Sequence, residues 1–284
     1  MHLANDGRRN IHRAPALSTR LRQIYEEVWL SPYYRFHPIR TGKLVVAKVV
    51  FAYNRIYDVT ELLGSWGLDA SGVGDGLHYW LPLLEDMLRR IDCRGGQQGS
   101  ISLEDGVILY TLTRIVRPRR VVETGVAAGA STAFISAALI DNGMGQLHSI
   151  ELPVDKVEGV RHTDGAKFDW PHYGVAWALP SIIRTQLGNR HTLILEDVRS
   201  ALPSLLSRLG EVDLFFHDDL HEPAHMLQQY RLVWTYLSSG GFLVSDDINY
   251  SWLQFQREHN LSRSVVKNSQ RLAAIRKPVE SYPQ

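Results

Sequence analysis

The chain has 284 residues, about two domains' worth at ~150 residues each, or one enlarged α/β domain with an appendage. Its composition, 44% hydrophobic, 21% charged and 10% aromatic, is that of an ordinary globular protein with a large core. Thirty-one Lys+Arg against 30 Asp+Glu leave a net charge of +1, which argues against non-specific nucleic-acid binding, since that needs a concentrated excess of cations. One cysteine, Cys93, excludes an intramolecular disulfide and a cysteine-built zinc site. No apolar run reaches the ~20 residues of a membrane span. Residues 1–22 are Arg-rich and polar, without the apolar core of a signal peptide. A cytoplasmic protein with neither nucleic acid nor membrane as partner is the expectation.

Residues 1–100 are rich in aromatics, among them Tyr25, Trp29, Tyr57, Trp66 and Trp80. Helical periodicity runs over 21–29 and again over 80–90, where Leu81, Leu84, Met87 and Leu88 fall on one face. Residues 94–99, with three glycines and nothing that packs, read as a linker. The expected organisation is a mainly helical, aromatic-rich cap or dimerisation segment over 1–100 and a catalytic domain over 101–284. A homodimer fits that division.

From Ser102 the rhythm changes. Ser102 reads as an N-cap with Glu104 and Asp105 in the first turn of a helix that runs to Val116 and stops before Pro118. Short apolar runs follow at 120–124, 146–152, 192–196, 212–217 and 241–245. Amphipathic segments intervene at 131–140, 179–187, 200–209 and 224–237. Residues 252–259 and 271–276 add a helix and a last strand. Alternation at this spacing predicts an α/β fold, a doubly wound, mostly parallel sheet with helices on both faces. Every strand's C-terminal end then lies on one edge, where open α/β sheets bind ligands.

Acids and glycines mark those ends. The first strand runs into Glu123-Thr124-Gly125-Val126-Ala127-Ala128-Gly129-Ala130-Ser131. Gly125 and Gly129 let the backbone turn tightly against a ligand, and the helix beginning near Ser131 presents free N–H groups. The spacing is Gly-x-x-x-Gly rather than the Gly-x-Gly-x-x-Gly of dinucleotide sites. A negative Glu123 suits a cationic ligand such as an amino group or a sulfonium better than a pyrophosphate. Glu151, at the second strand end, has the position of an acid that accepts ribose hydroxyls. Asp197, at the third, has that of an acid accepting an adenine amino group. Each is equally readable alone as a solvated acid; in order, they describe a nucleoside carrying no phosphate.

Residues 101 to about 250 resemble a class I S-adenosylmethionine-dependent methyltransferase. The resemblance is carried by Ile115-Val116-Arg117-Pro118 followed by Val121-Val122-Glu123-Thr124-Gly125, by Leu147-His148-Ser149-Ile150-Glu151-Leu152, by Asp213-Leu214-Phe215-Phe216-His217-Asp218, and by 240–247. It implies a Rossmann-like sheet binding S-adenosylmethionine. Glu123, Gly125 and Gly129 would face the methionine portion, Ser131 its carboxylate, Glu151 the ribose and Asp197 the adenine.

The fourth strand ends His217-Asp218-Asp219-Leu220-His221 and the fifth Ser245-Asp246-Asp247. Neighbouring strand ends lie about 5 Å apart, so these acids converge and repel one another. A bound divalent cation resolves the repulsion, and oxygen ligands favour Mg²⁺ or another hard ion over zinc. The pattern is similar to that of divalent-metal O-methyltransferases, which implies Asp218, Asp246 and Asp247 as metal ligands, with Asp219 the substitute for Asp218. Helix N-caps are the rival reading of such acids. His221, nearest the acids, is the candidate general base, because an imidazole can take a proton at neutral pH; capping or packing is its equally open alternative. His225 receives no role.

The expected activity is Mg²⁺-assisted methylation of a hydroxyl on a small molecule, a natural product or sugar. A metal-independent C- or N-methyltransferase is the alternative, followed by a nicotinamide oxidoreductase and a non-catalytic subunit. Aromatics of the N-terminal third, of 168–173 and of 249–252 are candidates to enclose a ring-shaped acceptor, or to serve as core or dimer contact.

Overall fold

The computed structural model describes residues 67, 73–93, 100–153, 173–261 and 272–279. The helix expected over 21–29, the linker over 94–99, the aromatics before residue 67 and residues 168–172 lie outside these.

Helix α1 (Gly74–Cys93) buries Trp80, Leu84, Met87 and Ile91, a stripe at helical spacing. It is turned from the expected Leu81/Leu88 face because Trp80 swings inward, its Nε1 donating to Asp141 at 3.0 Å. Helix α2 (Leu103–Val116) starts where the hydroxyl of Ser102 accepts from Asp105 N, and ends on Arg117 at φ 48, one residue before Pro118. There follow β1 (Arg120–Thr124), α3 (Ala130–Asn142), β2 (Gln146–Glu151), α4 (Ser181–Leu187), β3 (His191–Leu195), α5 (Val198–Leu209), β4 (Val212–His217), α6 (Pro223–Tyr236), β5 (Leu237–Ser245), α7 (Tyr250–Glu258) and β6 (Ala273–Arg276).

The strands form one sheet in the order β3-β2-β1-β4-β5-β6, parallel except for β6 against β5. Successive side chains of a strand enter opposite layers. Val121, Phe216 and Phe242 join one hydrophobic cluster with α1, α2 and α3. Val122, Phe215 and Leu243 join the other with α5, α6 and α7. Helix α1 thus packs into the same core as the sheet. Strand β5 begins at Leu237 rather than at 241. Its pairing jumps from Val212↔Leu237 to Leu214↔Phe242, with Gly240 at φ 78 in the bulge and Ser238 donating to Asp213 at 3.1 Å. No helix among the described residues is long and apolar enough to cross a membrane.

The chain winds outward from β1 through β2 to β3, then returns to the other side of β1 at β4. The crevice between the ends of β1 and β4 is the switch point at which such sheets bind ligands.

Candidate active site

The turn after β1 is built on Gly125, at φ +85, and Gly129, at φ +94. A Cβ on Gly125 would lie 1.9 Å from the carbonyl oxygen of Asp218. The two exit segments cross this closely because Asp218 N donates to Thr124 O at 2.8 Å. Gly129 caps α3 at its N-terminus.

Glu123 lies beneath this turn, fully buried. It accepts from the hydroxyls of Ser131 (2.6 Å), Thr132 (2.8 Å) and Ser149 (2.7 Å). Burial pushes its carboxyl above the usual range, and the three hydroxyls oppose the shift. Glu123 and Ser131 therefore anchor the first turn of α3 to β1 and β2, rather than presenting oxygens at an open face. Glu151 performs the matching task from β2. Its Oε2 accepts from Val126 N (2.7 Å) and Ala127 N (2.8 Å), and its Oε1 from Leu152 N. Burial raises its pKa, while those N–H groups hold it back. Asp197 caps α5 through Arg199 N and pairs with the Arg199 side chain at 2.5 Å. Hydrogen bonding from Arg199 holds its carboxyl down at about 2.

Ser149 extends the Glu123 network to His191, whose Nε2 is 3.1 Å from its hydroxyl. Because that hydroxyl donates to Glu123, His191 must carry its proton on Nε2. Burial, aided by Arg184, depresses its pKa to about 4. An unfolded imidazole takes up a proton below about 6.5, and the folded one does so only near 4. The stability this site gives is thus complete above the unfolded value and falls as acid is added. Urea midpoints should drop between pH 7 and 4.5 by a contribution on the order of 3 kcal/mol, and His191→Gln should flatten that slope. An unchanged slope in the variant would refute the assignment.

At the ends of β4 and β5 the carboxylates of Asp218 and Asp247 flank His221, and Asp246 and Asp247 lie close enough to act on Asp218. The Nε2 of His221 stands 3.6 Å from Asp218 and its Nδ1 3.8 Å from Asp247. Burial, then Asp246 and Asp247, push Asp218 well above the ordinary carboxylate range. Asp246 N donates to His217 O at 2.9 Å, tying the two strand exits together, and Asp247 takes a left-handed φ of 44. Asn249 caps α7 and donates from Nδ2 to His221 O at 3.3 Å. Asp218 and Asp246 are largely buried, while the Asp247 side chain is more than a third exposed. The donors are all oxygen, the kind a hard divalent cation takes, but among the described residues only His217, Asp219 and His225 bring one ligand atom each within 4.8 Å of one another.

Asp219 does not stand in for Asp218. It turns away to His217 (2.9 Å), His225 (3.2 Å) and Gln229 (2.7 Å). Burial alone would raise its carboxyl, but the two imidazoles hold it far below the usual range. The sequence alone assigns no role to His225 and does not single out Gln229. Their signal was the recurrence of histidine at four-residue steps, with Gln229 a further step along α6.

A groove of about 680 Å³ opens between α1 and the start of α2 and reaches Asp246. Its walls mix apolar side chains, Leu88, Ile101 and Leu103, with charged ones, Glu85, Arg89 and Asp92, and no aromatic side chain among the described residues lines it. Trp80 and Trp252 are core, and Tyr173 is half exposed against Trp177.

Residues 122–248 match the model of a family described as a methyltransferase domain. Comparison with curated proteins gives no match. The SAH-bound Podospora anserina methyltransferase PaMTH1 superposes with a TM-score of 0.51 at 15% identity, over 68% of this chain and 87% of that one. Cofactor-bound Rv0187 from MTB gives 0.51 at 17% identity, over 70% and 91%. These likenesses establish the Rossmann-like fold.

Proposed function

We propose that this enzyme, a class I S-adenosylmethionine-dependent methyltransferase through its domain at 122–248, methylates a hydroxyl of a small molecule with a hard divalent cation held by Asp218, Asp246 and Asp247. The observation that carries the reading is the placing of Asp218 and Asp247 against His221, with Asp246 acting on Asp218 and also lining the groove. The bound S-adenosylmethionine of such enzymes is a sulfonium, and a nearby field of acids favours that charge. The turn at 125–129, braced by Glu123 and Glu151, is the platform for the cofactor's methionine and ribose. Asp197 lies at the adenine end.

The acceptor sits in the groove, whose volume suits a small molecule. Its hydroxyl gives a proton to a ring nitrogen of His221 as the methyl carbon passes from sulfur to oxygen. The C–O bond forms, the C–S bond breaks, and the sulfonium leaves as a neutral thioether. Asp218 and Asp247 stabilise the imidazolium left behind. A hard cation at these acids, when bound, lowers the pKa of a hydroxyl beside it. A sugar or another hydroxylated natural product is the acceptor class, its apolar ring faces and its hydroxyls meeting the mixed apolar and charged walls.

Calorimetry with S-adenosylmethionine and its demethylated product tests the cofactor; folded protein that binds neither would overturn the reading. Mn²⁺ titration followed by EPR tests the cation. Wild type should quench the free-ion signal, and Asp246→Ala should lose at least ten-fold in affinity. Full turnover of an accepted substrate in EDTA would instead place the chemistry on His221 alone, as in a metal-independent enzyme.

A further inference from the structure

On the α6 side of β4 a second set of ligand atoms meets. We propose that His217, Asp219 and His225 bind one borderline divalent transition ion of the zinc class, apart from the oxygen site of Asp218, Asp246 and Asp247. The three offer one atom each within 4.8 Å of one another. His217 is the last residue of β4 and His225 lies in the first turn of α6, so the strand exit and the helix start bring the imidazoles to one carboxylate. His217 Nε2 is 2.9 Å from Asp219 Oδ1, and His225 Nε2 is 3.3 and 3.2 Å from its two oxygens. Donor atoms about 2.0–2.2 Å from a shared ion stand at such separations.

Hydrogen bonding alone leaves the cluster unsatisfied. His217 is fully buried, and neither ring nitrogen has an aligned hydrogen-bond partner despite the closeness of Asp219. Gln229 Nε2 is 2.6 Å from His225 Nε2 and 2.7 Å from Asp219 Oδ2. If His225 Nε2 accepts from that amide, its lone pair also faces the Asp219 carboxylate. If it is protonated, two donors meet at 2.6 Å. Turning the amide over sets its oxygen against the carboxylate. A cation among these atoms removes every conflict, since each imidazole and the carboxylate then present a lone pair, and so does Gln229 with its oxygen inward. The amide nitrogen then donates to Thr124, whose hydroxyl is 3.2 Å from the outer atom of that amide.

Two imidazole nitrogens and one carboxylate select zinc, cobalt or ferrous iron over magnesium. The ion would join β4 to α6 and, through Gln229 and Thr124, to β1. Asp218 lies between two of the ligands in sequence, so such an ion would also fix the direction in which Asp218 presents its carboxylate to the first site. The proposal needs neither the cofactor nor turnover, and it survives if the methyl-transfer reading fails.

The test uses the full chain, freed of metal by chelator and titrated with Co²⁺ alone. Wild type should bind one equivalent with visible d–d absorption that Zn²⁺ abolishes. His225→Ala should lose the absorption while still quenching the Mn²⁺ EPR signal. Asp246→Ala should show the reverse. Absence of Co²⁺ binding by wild type, or an equal absorption in His225→Ala, overturns the proposal. If His225→Ala does not fold by circular dichroism, X-ray absorption of zinc-loaded wild type decides instead. Imidazole scattering from about two ligands is expected, and all-oxygen coordination would refute the site.

Discussion

Gly125→Ala should destroy cofactor binding and cost the fold at least about 4 kcal/mol, the range reached only by a named structural conflict. The added methyl would stand 1.9 Å from Asp218 O and 2.4 Å from its carbonyl carbon. Neither segment can retreat. Gly125 N is bonded to Ile150 O, Asp218 N to Thr124 O, and Asp246 N to His217 O, so a shift at one point opens the exits of β1, β2, β4 and β5 together. Gly143→Ala supplies the control. Gly143 also has a positive φ, +66, but nothing lies within 4 Å of its would-be Cβ. That variant should lose only the left-handed cost, about 1–2 kcal/mol, and keep wild-type affinity for S-adenosylmethionine. Thermal denaturation and calorimetry on the pair separate backbone strain from collision. Equal losses in the two would mean that the close crossing at Asp218 is not what Gly125 protects.

The sheet was legible because its signal is local. Each strand is a short apolar run, and alternate residues such as Val121 and Val122, or Phe215 and Phe216, enter opposite clusters. The cap at Ser102 was equally plain. That the aspartates after β4 and β5 come near one another followed from topology, since a parallel sheet delivers neighbouring strand ends to one place; their assignment as ligands came from the resemblance. What escaped were directions. Nothing in the sequence says that Glu123 turns down to three hydroxyls while Asp218 turns to His221, since both are acids at strand ends. Asp218 and Asp219 are adjacent and identical, yet one faces His221 and the other His217 and His225. The lining of the groove was also out of reach. It depends on how α1 docks beside α2, a long-range contact that periodicity within either helix does not encode. Trp80 illustrates the limit, being an aromatic candidate for the acceptor wall whose indole is spent on Asp141.

Asp218→Asn should make the protein more stable and less active at once. The Asp218 carboxylate is nearly buried, and its neighbours Asp246, Asp247 and Glu123 all disfavour its charge. Removing one of the repelling charges in chelator is expected to contribute about 1–2 kcal/mol, which for a chain of this size raises the thermal midpoint by roughly 2–8 °C. The asparagine keeps the shape, and the bond from residue 218 N to Thr124 O is untouched, so the crossing over Gly125 survives. Turnover should fall by at least about 100-fold, because Asn neither holds a hard cation as a carboxylate does nor stabilises an imidazolium at His221, 3.6 Å away. Stability kept against function in this way is the mark of a site that holds unfavourable charge for the sake of its ligands. A buried acid serving only the fold would behave oppositely, losing stability with its charge. A lowered midpoint for Asp218→Asn in EDTA would therefore identify Asp218 as a structural residue and remove it from the catalytic set.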